Sequence, residues 1–249
     1  MTITQRTEIN FPIGTEPPLS LVTALGVFTP NATTTLLIQA VRDSISTPAT
    51  LLELGCGTGV VGLALHRSGL IKTPVYASDL SEPAVLCSRE NFAHHDCPAE
   101  VRYGSLFEPW VDERFDVVVD DISGIAQDVA AVSPWFQGVP CDTGEDGIDL
   151  IADILRNAPA HLNVGGSLFF PVLSLSNVDK LLQTARENFA TVQRVGRQDW
   201  PLPADLKAHL PLLRKLAATG SIKLEEKFGM VLCYTEVYRA TNPIIPKRG

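Results

Sequence analysis

Nine consecutive residues constrain this chain more than any others: Leu51-Leu52-Glu53-Leu54-Gly55-Cys56-Gly57-Thr58-Gly59. Thr50 to Leu54 has the length and apolar content of a buried strand, and Gly59 to Ser68 reads as a helix. Between them, Gly55 and Gly57 allow a tight turn and close approach of a ligand to the backbone. The helix opening after Gly59 would aim amide donors and a partial positive charge at that ligand. A ligand-free tight turn would use the same glycines, so this pattern needs a second signal.

The rest of the chain alternates in the same way. Pro74–Ser78, Ala99–Tyr103, Phe115–Asp120, Ser167–Val172 and Met230–Arg239 read as strands. Asn31 and Thr33 can cap a helix running through Leu36-Leu37-Ile38 to about Asp43. Ser81–His94, Ile148–His161 and Val178–Phe189 read as further helices, the second with Ile148, Ile151, Ala152 and Leu155 at helical spacing. Strands alternating with helices predict an α/β, doubly wound, mostly parallel sheet covered on both faces. The first 30 residues, with breakers Pro12, Pro17, Pro18 and Pro30, are expected to be irregular. Two segments exceed a simple crossover: Ile125–Val139, with Ser133-Pro134-Trp135-Phe136, and Trp200–Glu226, with a helix expected at about Ala204–Ala218. Such insertions are where specificity is built on a scaffold.

With 249 residues, 45% hydrophobic and 19% charged, the chain has material for one large domain with a sizeable core. It has no apolar run of the roughly 20 residues that a membrane span needs, and Met1–Asn10 lacks the pattern of a secretory signal. Five cysteines without a CxxC pair argue against a disulfide framework or a cysteine zinc site and fit a reducing cytoplasm. Residues 1–178 carry 8 basic and 21 acidic side chains, a net −13; residues 179–249 carry 12 and 7, a net +5. An acidic body disfavours contact with phosphate backbones, so nucleic acid is not the expected partner. The basic tail reads first as a solvated helix surface and second as a face toward an anionic substrate.

The second signal is Asp79, at the end of Tyr76-Ala77-Ser78-Asp79 and 24 residues beyond Gly55. A carboxylate roughly 20 residues past such a turn accepts both hydroxyls of a ribose. Taken alone, Asp79 could equally cap a helix; its distance from the turn favours an adenosine-binding cleft at the ends of adjacent strands. NAD and S-adenosylmethionine both suit that cleft. A dinucleotide site wants G-x-G-x-x-G, whereas here the third glycine comes one residue early. Glu53 before the turn would repel a pyrophosphate but favour a cationic amino-acid group, directly or through amides and water.

Glu53-Leu-Gly-Cys-Gly-Thr-Gly59 resembles motif I of the class I S-adenosylmethionine-dependent methyltransferases, and the resemblance runs from about residue 28 to 240. Several stretches are similar to the release-factor glutamine methyltransferases. They are Gly26–Leu37, with Thr34 on the family's threonine, Gly144–Ile151, Leu162–Leu168 and Tyr103-Gly-Ser-Leu-Phe107. The resemblance implies a seven-stranded sheet with an antiparallel last strand. It also implies residues 1–27 as an extension, 28–249 as the methyltransferase domain and 200–226 as an inserted cap. It places S-adenosylmethionine, and the product S-adenosylhomocysteine, against Thr34, Glu53, Gly55, Cys56, Gly57, Gly59, Asp79, Leu80, Ser105, Leu106 and Asp120. Ser105 replaces an aspartate of that family, and Leu106 can still pack on adenine.

The family's N-P-P-Y after strand four is absent. Asp121, Ile122, Ser123 and Gly124 occupy its positions, so amide-nitrogen methylation of glutamine or adenine is not supported. Methyl transfer is an in-line displacement in which the acceptor must sit about 3 Å from the methyl carbon and lose its proton. Asp121 is placed to accept a hydrogen bond from an amine, amide or hydroxyl, and burial would strengthen it as a base; its plainer role would be to cap the next helix. Asp120 alternates to the other face. The expected acceptor is a small molecule or a protein side chain. A non-catalytic S-adenosylmethionine-binding regulator is the rival reading, and an NAD enzyme a third. Asp142–Asp149 lacks calcium-loop spacing, His94-His95 lacks a third metal ligand, and Cys56 receives no redox role. Phe28, Trp135, Phe136 and Trp200 could wall a substrate pocket or simply pack.

Overall fold

Proline-rich though it is, the beginning of the chain is not irregular. In the computed structural model, which describes residues 6–122, 124–133, 135 and 143–244, it forms an antiparallel hairpin of β1 (Arg6–Ile13) and β2 (Glu16–Ala24). Phe11, Ile13, Leu19 and Leu21 bury one face of the hairpin in the main core. In a two-stranded ribbon each strand has a free edge, so Pro12, Pro17 and Pro18 cost few ladder hydrogen bonds. The prolines are the reason that the pattern reads as loop.

From there the expected alternation appears: α1 (Ala32–Ser44), β3 (Leu51–Leu54), α2 (Val60–Arg67), β4 (Val75–Asp79), α3 (Glu82–His94), β5 (Ala99–Tyr103) and β6 (Phe115–Asp120). After β6 come α4 (Gln127–Ala130), α5 (Asp149–His161), β7 (Leu162–Leu173), α6 (Val178–Asn188) and β8 (Phe189–Pro201). The chain then runs through α7 (Ala204–Lys207), α8 (Leu210–Thr219), β9 (Glu225–Lys227) and β10 (Met230–Pro243). The main sheet has the order β5-β4-β3-β6-β7-β10-β8, with β9 beside β10. Strands β5, β4, β3, β6 and β7 are parallel, and β10 is antiparallel to both β7 and β8. The antiparallel last strand agrees with expectation.

Two local signals work as read. Asn31 caps α1: its side chain accepts from the Thr33 amide, and the Thr34 hydroxyl accepts from the Asn31 amide. Ser81 caps α3, followed by Pro83 in the first turn. The main sheet has eight strands where seven were expected, the short β9 being the addition, and β8 does not show in the apolar pattern because most of its residues are exposed or half-buried. The single helix expected at 204–218 is two, broken at Ala208-His209 ahead of Pro211, which lacks an amide to continue α7.

Alternation along β6 splits the core. Val117 and Val119 join the cluster beneath α1, α2 and the hairpin, whereas Val118 joins the cluster beneath α5 and α6. A third cluster ties Ile125 and Val129 to Leu206, Leu213 and Cys233, anchoring α7 and α8 beside the carboxyl ends of the central strands. Pro134, Phe136, Cys141, Asp142 and Ser123, discussed above, lie outside the described residues. No helix among the described residues is long and apolar enough to cross a membrane.

Candidate active site

The glycine turn folds as its composition demands. Gly55, Gly57 and Gly59 all adopt positive φ (+59°, +52° and +74°). Side chains would also collide there: a Cβ on Gly55 would lie 2.5 Å from Ile122 Cγ1, and one on Gly59 2.8 Å from Phe92 Cε2. Cys56 is buried in the turn, its amide donating to the Ser78 carbonyl at 3.0 Å. Burial, then the nearby Glu53 and Asp79, push its thiol well above the usual range, which removes thiolate chemistry.

Asp79 does more than face a ligand. One carboxyl oxygen accepts from the Gly57 amide at 2.9 Å and the other from the Ser81 amide at 2.8 Å. It therefore clasps the glycine turn of β3 to the start of α3. Burial raises its pKa, opposed by the amides of Ser81, Gly57 and Leu80. Glu53 is buried, and its Oε2 accepts from the Gly62 amide at 2.8 Å. Burial, helped by the charges of Asp121 and Asp79, lifts it to about 8 against two amide hydrogen bonds.

These residues line one cleft of about 1040 Å³, counting its open mouth. Glu53, Gly55, Cys56, Gly57, Asp79, Leu80, Ser105, Leu106 and Asp121 all reach its wall. Ser105 donates its amide to Glu108 at 3.2 Å, and Ser78 Oγ donates to the Leu106 carbonyl at 3.1 Å, which fixes the turn beyond β5. Phe28, one of the aromatics expected to wall a pocket, lines the same cleft together with Gly26 and Val27, which no sequence signal singled out; the three form a strap between β2 and α1. The Phe28 carbonyl lies 3.8 Å from where a Gly57 Cβ would stand.

Three expected contacts fall elsewhere. Gly59 does not line the cleft; it caps α2 against Phe92. Thr34 also sits off the wall. It is fully buried and donates its hydroxyl to Asp121 Oδ2 at 2.5 Å. Asp120 points away from the cleft, as strand alternation requires. It is fully buried, and neither carboxyl oxygen has a well-formed hydrogen-bond partner. Burial, then the charge of Asp121, drives its pKa well upward, with only the Ile122 amide opposing. An unpaired charge is costly in that setting, so burial favours the protonated form of Asp120. Asp121, on the cleft side, is raised by burial to about 7, the Thr34 hydrogen bond opposing.

Other candidates resolve quietly. The Asp146 carboxylate accepts from Asn177 at 2.9 Å and from Lys180, so that acid pins α6 rather than a metal. The rings of His94 and His95 meet edge to face, and no metal-binding group of His, Cys, Asp or Glu occurs among the described residues.

Known proteins resemble this chain in sequence and in fold. Residues 18–121 match the family model of the methyltransferase small domain. The release factor glutamine methyltransferase of Geobacter sulfurreducens is 29% identical over 171 residues, 66% of this chain and 60% of that protein. The ribosomal RNA small subunit methyltransferase C of Alcanivorax borkumensis is 29% identical over 135 residues, 54% of this chain and 35% of that protein. The chain spans less than two thirds of the length of these relatives. Among solved structures, the T. thermophilus 16S rRNA N2 G1207 methyltransferase, in complex with AdoMet and guanosine, superposes with a TM-score of 0.64. It has 16% identity and covers 96% of this chain and 51% of that one. The fold is the Rossmann-like class I methyltransferase fold. Relatives named for protein and for ribosomal RNA substrates occur side by side, so the acidic net charge does not set nucleic acid aside.

Proposed function

We propose that this chain, a class I methyltransferase relative carrying a methyltransferase small domain, is itself an S-adenosylmethionine-dependent methyltransferase in which Asp121 receives the acceptor. The observation that carries the reading is that one cleft joins the glycine turn, its Asp79 clasp and the Ser105-Leu106 turn to the half-buried carboxyl of Asp121 just beyond β6. The residues fit the cofactor. Gly55 and Gly57 leave room that a side chain would fill, Glu53 suits a cationic amino-acid group, Asp79 a ribose, and Leu106 the face of a base.

When bound, S-adenosylmethionine supplies an electrophilic methyl group and leaves as S-adenosylhomocysteine. The acceptor's lone pair forms the new bond to carbon as the sulfur–carbon bond breaks. Asp121 takes the proton that the acceptor sheds, and a carboxyl with a pKa near 7 is matched to that task at neutral pH. Thr34 holds the carboxyl in place through its hydroxyl. The strap over the cleft restricts water.

The test uses Asp121→Asn with labelled S-adenosylmethionine and a fractionated lysate containing protein, RNA and small molecules. The variant is expected to bind S-adenosylhomocysteine with unchanged affinity by calorimetry and to lose turnover about 100-fold or more. Full turnover in the variant would remove Asp121 as the base. A wild-type protein that binds the cofactor yet labels nothing in any fraction would favour the regulatory reading, which the missing N-P-P-Y supports.

A further inference from the structure

The cleft has a neighbour. A second cavity of about 1410 Å³, again counting its mouth, shares the strap Gly26-Val27-Phe28 with the first. On its far side stand Trp135 and Trp200, with ring centroids 5.8 Å apart and planes inclined by 54°. Trp200 Nε1 donates to Thr235 Oγ1 at 3.2 Å, and that oxygen lies 3.5 Å from Thr33 Oγ1. Thr33 adjoins Thr34, which holds Asp121. One helix start therefore touches both chambers: the acid on one side, the indoles on the other.

The walls are chemically selective. No charged side chain lines this second cavity among the described residues, and its polar groups are neutral amides and hydroxyls such as Gln198, Asn31 and Thr33. A ligand anchored by carboxylate, phosphate or ammonium would lose hydration there without gaining a counter-charge. Indole and phenyl walls reward flat surface, and neutral amides read ring-edge donors and acceptors.

We infer that this chamber receives the methyl acceptor and that the acceptor is an uncharged planar ring bearing a hydroxyl or amino group. This rests on the methyl-transfer reading above. The ring lies among Phe28, Trp135 and Trp200, and its O–H or N–H reaches past the strap toward Asp121, which takes the proton as the oxygen or nitrogen bonds to the methyl carbon. A free aromatic metabolite and an unstacked nucleobase share this chemistry.

The chain carries its own probe. Of its three tryptophans, Trp110 is fully buried in the core beneath α5, and the other two line the chamber. The full-length protein, saturated with S-adenosylhomocysteine, is titrated with catechol, with guanosine and with a glycine-flanked glutamine peptide while tryptophan emission is followed. Saturable quenching is expected from at least one ring probe and none from the peptide. Trp200→Leu, and separately Trp135→Leu, should weaken the ring probe about tenfold while S-adenosylhomocysteine affinity stays unchanged. If guanosine saturates, a short single-stranded RNA that binds more tightly assigns the ring to RNA, and one that does not assigns it to a free metabolite. Saturation by the peptide alone, or by neither ring probe, overturns the inference. Failure of S-adenosylhomocysteine itself to bind would instead sink the methyltransferase reading.

Discussion

Two adjacent carboxyls at the end of β6 meet different fates because successive strand residues face opposite ways. Asp120 is sealed in the core, which drives its pKa well upward, whereas Asp121 reaches the cleft, where burial raises its pKa to about 7. The charged, proton-accepting form of Asp121 accumulates as pH rises through that value. The proposed kcat/KM should climb with pH and level off above about 7. Thr34 lowers this pKa by donating to the carboxylate. Replacing Thr34 with Val should therefore move the rising limb to higher pH, and a limb that stays in place would show that Thr34 does not act on Asp121. The place of Asp79 in the cleft wall was legible in the sequence, because a carboxyl at a fixed interval along a βαβ unit ends the strand beside the glycine turn. The Thr34–Asp121 contact spans 87 residues and exists only through the packing of α1 on the sheet, so spacing alone could not pair them.

Elements carry the site by pinning one another. The turn between β3 and α2 is held by Asp79 from β4, by Phe92 from α3 packed on Gly59, and by Ile122 packed on Gly55. Gly59→Ala would force a positive φ on alanine and push its Cβ against Phe92. A loss of about 1–3 kcal/mol in unfolding free energy is expected from urea titration. A variant as stable as the parent would mean that the turn can relax without cost. The glycines announced this element in advance. The β1–β2 hairpin did not announce itself, because prolines at its free edges outweigh the alternation of Phe11, Ile13, Leu19 and Leu21. Nor did the strap that the hairpin leads into, since Gly26-Val27-Phe28 has no periodicity to read.

Across the whole molecule, charge is sorted. The basic tail spends much of its charge internally: Arg194 and Arg197 both reach Glu236, Arg197 also holds Asp199 and Glu225, and Lys223 holds Asp179. These pairs lie on β8 and the segment before β9 rather than on a helix, so the expected solvated helix surface describes only part of the tail. Four acids of the body, Glu53, Asp79, Asp120 and Asp121, meet at the sheet's carboxyl rim, where all have raised pKa values. A raised carboxyl keeps its proton in the folded state after the unfolded chain has released it, so each of these four groups lowers the stability of the cofactor-free protein as pH rises. For Glu53 the window runs from about 4.5 to about 8. Glu53→Gln can still accept from Gly62 and should flatten this decline by up to about 1.4 kcal/mol per pH unit, read from urea midpoints across that range. An unchanged slope would show that Glu53 ionises as freely in the fold as outside it. The apolar alternation made the sheet readable, but the clustering of acids depends on which strand ends the topology makes neighbours.

Calorimetric titration of S-adenosylhomocysteine into the wild-type chain and into Asp79→Ala tests the donor cleft most directly. The account predicts one-to-one binding to the wild type and a loss of about 1–3 kcal/mol in the variant, the scale of a charge-assisted hydrogen-bond partner. Absence of binding to the wild type, or equal affinity in both, would contradict it.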